Sequence, residues 1–186
     1  MDVQKYKILY KEGEAEISEK KSRFIAHIAP AQTEEEAQAF IEKIKKQYWD
    51  ARHNCWAYSI GEKQPALRCS DDGEPSGTAG KPMLEVLTGQ ELHNVVAVVT
   101  RYFGGTLLGT GGLIRAYTKS TQEGIKESMV IEKCLGVMLS LTCDYTTSGK
   151  IQYLTATEHI PVLDTVYTDN VCLLYTSDAA DDLIGV

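Results

Sequence analysis

VVAVVTRYFGGTLLGTGGLIRAYTK, residues 95–119, is the stretch that decides the fold. Its first five residues are apolar and mostly β-branched, which is typical of a central strand. Helical spacing of apolar residues begins at Leu113 and predicts a helix. Between these two elements lie the glycines Gly104, Gly105, Gly109, Gly111 and Gly112. The order is therefore strand, glycine-rich loop, helix.

A loop of this composition favours an anionic ligand. Glycines allow close approach to the backbone, and a helix that starts after them presents free N–H groups to an anion. The stretch contains Arg101, Arg115 and Lys119 and no acid, so its local charge is +3. Tyr102 and Phe103 add aromatic surface that can stack on bases. The spacing matches neither a P-loop nor a dinucleotide fingerprint. On spacing alone, tight turns and close packing of the helix on a sheet are therefore the favoured role of these glycines, ahead of anion binding.

The whole chain has 186 residues, which leaves room for one large domain or two small ones. Its net charge of −7 argues against general coating of nucleic acid, but it permits a local basic surface. No apolar run is long enough to span a bilayer, so no membrane association is expected. The charged N-terminus lacks the apolar core of a signal peptide, which indicates a cytoplasmic protein.

Five cysteines lie at Cys55, Cys69, Cys134, Cys143 and Cys172. They form neither a Cys-x-x-Cys pair nor a zinc-binding spacing. Such a scattered, odd-numbered set is typical of reduced and mostly buried thiols. We therefore expect no resident metal and no disulfide framework.

The N-terminal half predicts strands over residues 6–10, 14–17 and 23–28, arranged as a meander. A helix starts at Thr33, which forms a capping box with Glu36. The segment 53–60 alternates like a strand, and residues 81–87 form a second helix.

An acidic loop lies between these last two elements and contains Asp71, Asp72, Gly73 and Glu74. Together with His53, Asn54 and the Arg101 glycine loop it could form an active site, with the three carboxylates holding magnesium. The alternative, which we favour, is a turn that caps the helix near Lys81. His53 and Cys55 could form a nucleophile pair, but a packed cysteine beside a hydrogen-bonded histidine fits the single strand better.

A second unit begins near Met129. Residues 137–145 alternate like a half-buried strand, a helix capped by Thr147 or Ser148 runs to about His159, and residues 162–167 form another strand. This order predicts the first part of a ferredoxin-like domain. Residues 171–186 do not continue the alternation, so the sequence predicts a truncated or chimeric end. The predicted divisions are 1–128, an incomplete ferredoxin-like domain at 129–170, and a non-native tail at 171–186.

Three motifs resemble those of the YigZ/IMPACT family over about residues 21–170. They are RHNCWAY at 52–58, SDDGEPSGTAG at 70–80, and the segment from Gly80-Lys-Pro-Met-Leu through Arg101-Tyr-Phe-Gly-Gly to Leu108-Gly109. The resemblance implies an α+β protein. Its N-terminal domain would be an α/β sandwich like those of ribosomal proteins and translation factors, followed by a ferredoxin-like domain similar to the last domain of elongation factor G. Eukaryotic relatives regulate translation by binding the activator of a starvation-responsive kinase.

Two functions follow as hypotheses. The first is a translation- or ribosome-associated regulatory protein that binds RNA, the ribosome or a translation factor through the glycine-rich, basic loop and helix. The alternative is an enzyme that acts on a small phosphorylated ligand with an acidic metal-binding loop. We favour the first, and we assign no catalytic residue and no cofactor. The predicted anion-binding residues are Arg101, Tyr102, Phe103, Gly104, Gly105, Gly109, Gly111, Gly112, Arg115 and Lys119.

Overall fold

The computed structural model describes residues 5–134, 136–160 and 162–178, and the chain divides into two compact units. The larger unit is Tyr6–Glu132, and the smaller comprises Met1–Lys5 and Lys133–Val186. The division thus falls a few residues after the predicted boundary at 128. The strands are β1 Lys5–Lys11, β2 Gly13–Glu19, β3 Ser22–Pro30, β4 His53–Ile60, β5 Ala66–Ser70, β6 Leu92–His93, β7 Val95–Tyr102, β8 Met129–Cys134, β9 Gly136–Cys143, β10 Val162–Tyr167 and β11 Val171–Asp178. The helices are α1 Glu34–Gln47, α2 Gly80–Gly89, α3 Gly109–Lys126 and α4 Tyr145–Thr157.

The larger unit is built on an antiparallel five-stranded sheet of order β2-β3-β7-β4-β5. The central strand β7 is fully buried from Val95 to Val99. Val95, Ala97 and Val99 belong to the core cluster that contains Met83 of α2 and Tyr117 of α3. Val96 and Val98 belong to a second cluster with Ile41 and Ile44 of α1. Helices therefore cover both faces of the sheet, and the predicted α+β sandwich is confirmed.

The N-terminal strands differ from the predicted meander. Strands β2 and β3 form a hairpin in the main sheet, as expected. Strand β1 instead pairs in parallel with β6, in a separate three-stranded sheet of order β6-β1-β8. The sequence does not reveal this pairing, because β1 and β6 are far apart along the chain.

Helix α1 begins where its capping residues predict. Thr33 Oγ1 accepts a hydrogen bond from the Glu36 backbone N–H at 3.2 Å. The Glu36 carboxylate accepts one from the backbone N–H of Gln32 at 2.6 Å. Glu34, Glu35 and Glu36 in the first turn also complement the positive end of the helix.

Helix α3 begins earlier than predicted, at Gly109 rather than after Gly112. Gly111 and Gly112 therefore lie in its first turn and not in a preceding loop. Gly105 and Gly109 have φ values of +85° and +71°, which favour glycine. A Cβ at Gly104 would lie 2.0 Å from the backbone carbon of Lys21, so this glycine allows the loop to pack against the turn between β2 and β3.

The smaller unit contains a three-stranded antiparallel sheet of order β10-β11-β9 together with α4. Asp144 caps α4 by accepting a hydrogen bond from the Thr147 N–H at 2.6 Å, so the helix starts slightly before the predicted caps. Strand β11 lies in the centre of the sheet, and Val171, Leu173 and Tyr175 are buried. We expected the strand pattern to stop at residue 171. This is wrong for Val171–Asp178, which form β11. Residues 179–186 of the predicted tail lie outside the described residues.

Within the part of the chain that the structure describes, no helix combines the length and the apolar character needed to cross a bilayer.

Candidate functional site

The acidic loop, residues 71–74, is held first by Asp71. Its carboxylate accepts hydrogen bonds from the backbone N–H groups of Gly77, Ala79 and Gly80, at 2.8, 3.0 and 2.9 Å. Burial acts to raise the pKa of Asp71, but these three backbone donors together hold it below its ordinary value. Asp71 therefore caps the start of α2, as the favoured interpretation predicted.

Asp72 fixes the same loop to strand β4 and helix α1. Its two carboxylate oxygens accept hydrogen bonds from the backbone N–H of Asn54 at 2.8 Å and from Lys45 Nζ at 3.0 Å. The Asp72 carbonyl oxygen lies 2.9 Å from His53 Nδ1. In turn, Asn54 Oδ1 accepts a hydrogen bond from Thr100 Oγ1 on β7. His53 and Asn54 thus anchor the acidic loop, and Gly73 follows with φ +87°.

Glu74 points into the core and forms an ion pair with Arg101. Arg101 Nη1 lies 2.6 Å from Glu74 Oε1, and the two side chains are only 8% and 3% exposed. Tyr117 of α3 donates a hydrogen bond to the same oxygen at 2.9 Å. The Arg101 guanidinium also lies over the rings of Phe24 and Phe103. The prediction that Arg101 binds an anion at the surface is therefore wrong, because its charge is buried and paired with Glu74.

The three sequence landmarks do come together, but as a hydrogen-bonded network between β4, β7, α3 and the acidic loop. The carboxylates of Asp71, Asp72 and Glu74 each have different partners. No group of three His, Cys, Asp or Glu side chains in the described ranges is placed to hold a metal ion. The arrangement does not fit the magnesium site that the enzyme hypothesis requires.

Cys55 is buried at the centre of this network and does not fit a nucleophile. The single proton of its thiol has two acceptors within reach, the Asp71 carbonyl oxygen at 3.0 Å and Tyr117 Oη at 3.3 Å from Sγ. Burial raises the pKa of Cys55 strongly, so the thiol stays protonated. Burial likewise raises the pKa of Tyr117, which keeps its hydroxyl as a hydrogen-bond donor.

The solvent-facing part of the site is a basic surface, which we define as Lys20, Lys21, Arg115 and Lys119. All four side chains are exposed, and none forms an ion pair with another of the described residues. The lysines belong to the turn between β2 and β3, and Arg115 and Lys119 lie one turn apart on α3. A cavity of 190 Å³ lies between the turn and the helix.

The two aromatic residues of the loop differ in their surroundings. Phe103 is 56% exposed beside the glycines. Tyr102 is less exposed, and its hydroxyl donates to Asp50 at 2.8 Å while the Arg23 guanidinium lies over its ring. Phe103 is therefore the more exposed of the two rings, although the Arg101 guanidinium also lies over it.

Sequence reasoning missed several residues of the site. Lys20 and Lys21 are distant from α3 in the chain, and the packing of α3 against β2 and β3 brings their turn close to the helix. The adjacent basic pair at a hairpin turn was a visible signal. Tyr117 carries helical core spacing, but nothing in the sequence shows that its hydroxyl meets Glu74.

The fold and site define a two-unit α+β protein whose acidic loop is internally paired and which carries an exposed basic surface beside its glycine-rich loop. Comparisons with known proteins agree with this class. Residues 20–125 match the model of the Impact N-terminal domain. The chain is 52% identical over 159 residues to the IMPACT family member YvyE of Bacillus subtilis (strain 168), covering 86% of this chain and 73% of that protein.

Two further matches support the assignment. An IMPACT family member of Haemophilus influenzae is 43% identical over 157 residues, covering 83% of this chain and 76% of that protein. A crystal structure described as that of a hypothetical protein superposes with a TM-score of 0.68 at 36% identity, covering 95% of this chain and 87% of the other. The chain belongs to the IMPACT family.

Proposed function

We propose that this protein is a translation-associated regulatory protein that binds RNA of the ribosome or of a translation complex through the basic surface. The observation that carries the proposal is the presence of four exposed cations without an ionic partner among the described residues. The chain belongs to the IMPACT family. The translation role in the proposal is carried over from what the resemblance to this family implies for its eukaryotic members.

The arrangement of the cations fits a phosphate backbone. Arg115 and Lys119 follow one face of α3, and Lys20 and Lys21 extend this face across the β2–β3 turn. The first turn of α3 contains no acid, and no side chain caps its free N–H groups. These N–H groups and the helix dipole attract negative charge. Phosphate contacts of this kind supply most of the sequence-independent affinity for nucleic acid.

Two further features support RNA over a folded protein partner. Phe103 presents an exposed ring beside the glycines, and such rings stack on unpaired bases. The whole chain carries a net charge of −7, so the basic surface contrasts in sign with the rest of the molecule. Such a contrast orients an approaching polyanion toward a single part of the surface.

The experiment is a fluorescence-anisotropy titration of a labelled single-stranded RNA with the wild-type protein and with the double variant Arg115→Ala, Lys119→Ala. We expect the double variant to bind more weakly by about tenfold, because each exposed phosphate contact is worth a few tenths of a kcal/mol to about 1 kcal/mol.

A matched control removes two exposed cations outside the basic surface, in the double variant Lys46→Ala, Lys63→Ala. This control has the same change in net charge. Equal weakening in both double variants would show that only overall charge matters and would contradict the proposed surface.

A further inference from the structure

The cavity beside the basic surface has a composition suited to a single anionic group. Lys20, Arg115 and Lys119 line it together with Glu19 and Gly112. Three cations and one acid give the lining a net charge of +2. Gly112 is the fourth residue of α3 and follows the three residues at the helix start whose N–H groups lack intrahelical partners. The charge comes from two separate elements that meet only in the folded protein.

An internal phosphate of RNA matches this charge poorly. A phosphodiester carries one negative charge, whereas a phosphate monoester carries about −1.5 to −2 at neutral pH. A monoester also presents three oxygens that accept charge-assisted hydrogen bonds. The planar fork of Arg115 and the two ammonium groups can each engage a different oxygen.

We infer that this cavity binds the terminal phosphate monoester of an RNA chain, with Lys20, Arg115 and Lys119 as its ligands. The inference rests on the proposed function, because the terminal phosphate would be one of the RNA groups that the basic surface binds. It goes beyond the proposed function, because a protein with such a site would bind phosphorylated RNA ends more tightly than unphosphorylated ones.

The test uses one short single-stranded RNA in three forms, with a 5′ phosphate, with a 3′ phosphate, or with hydroxyls at both ends. We expect one of the phosphorylated forms to bind about tenfold more tightly than the hydroxyl form, as charge-assisted hydrogen bonds contribute to this extent. The variant Lys20→Gln should lose most of this preference, whereas its affinity for the hydroxyl form should fall only by the small share of one exposed cation. Lys46→Gln, an exposed change on α1, should keep the preference.

The outcomes separate the two claims. Measurable and equal binding of all three RNAs would overturn the inference while leaving the proposed function in place. Binding of none of them would overturn both. Adenosine monophosphate is tested as a competitor, and an affinity equal to that of the phosphorylated RNA would overturn the inference in favour of a small phosphorylated ligand.

Discussion

Arg101 and Glu74 form a buried ion pair in which Nη1 and Oε1 are 2.6 Å apart. Strand β7 contributes the arginine, and the acidic loop contributes the glutamate. Tyr117 donates to the same carboxylate oxygen from α3, so the pair joins three parts of the larger unit. The acidic loop has the composition of an active site, but its role in this structure is to hold parts of the larger unit together.

Glu74→Gln should destabilise the larger unit by about 3–5 kcal/mol, because it leaves the guanidinium buried without a counter-charge. Chemical denaturation monitored by circular dichroism measures this change. The control is Lys126→Ala, which removes an exposed ion pair with Glu123 of similar length, 2.7 Å. It should cost less than about 1 kcal/mol. Similar losses in the two variants would contradict the structural role of the buried pair.

Gly104→Ala should be strongly destabilising, by more than about 2 kcal/mol, since the added Cβ would meet the backbone of Lys21 at 2.0 Å. Gly89→Ala is the matched control, because it lies in α2 with open space around its Cβ. Alanine should be neutral or stabilise there by about 0.5–1 kcal/mol. The measurement is the thermal midpoint of both variants relative to the wild-type protein. An unchanged midpoint for Gly104→Ala would show that the loop does not pack on the hairpin turn.

The extent to which the sequence predicts this structure depends on the range of the interactions. Helix α1 was predictable because Thr33 and Glu36 cap it locally, and β7 because its residues are β-branched and apolar. The start of α3 was missed because adjacent glycines do not reveal which one initiates a helix. Strand β11 was missed because both of its faces are apolar, so that Leu173 and Leu174 do not alternate in polarity.

In the candidate site, too, contacts between residues close in sequence were predictable and contacts between distant segments were not. Asp71 caps nearby backbone groups, so its role followed from the loop sequence. Arg101 was assigned to the surface because its partner Glu74 lies in a different motif and their contact forms only in the folded chain. Lys20 was not connected with Arg115 for the same reason.

His27 should make the stability of the fold depend on pH near neutrality. Burial lowers its pKa below 6.5, although Glu14 and Glu12 act to raise it and Lys43 acts to lower it. The ring also packs against Tyr48, and Nε2 has no hydrogen-bond partner. The unfolded chain therefore binds the proton more readily, and stability should fall as the pH drops below about 6.5, the ordinary pKa of histidine.

The measurement is the free energy of unfolding at several pH values for wild type and His27→Gln. In the variant, the free energy of unfolding should depend less steeply on pH below about 6.5, because the titrating imidazole is absent. Parallel curves for the two proteins would contradict preferential protonation of His27 in the unfolded state.

Leu173→Ala should destabilise the smaller unit by about 2–5 kcal/mol, because Leu173 is fully buried in the central strand β11. Amide hydrogen exchange should become faster in β9 and β11. The control Leu163→Ala changes a leucine on β10 that is 53% exposed, and its effect should be small. Unchanged exchange in the Leu173→Ala protein would support the earlier prediction that the segment from residue 171 is not part of the fold.

The salt dependence of RNA binding tests the central claim most directly. Four cations that together neutralise about four phosphate charges of a single strand give a slope of log K against log salt of about −2.8, and removal of two should leave about −1.4. The measurement is this slope for the wild-type protein and for the double variant Arg115→Ala, Lys119→Ala. A slope that is reduced by about half supports RNA binding through the basic surface. Equal slopes for the two proteins would contradict it.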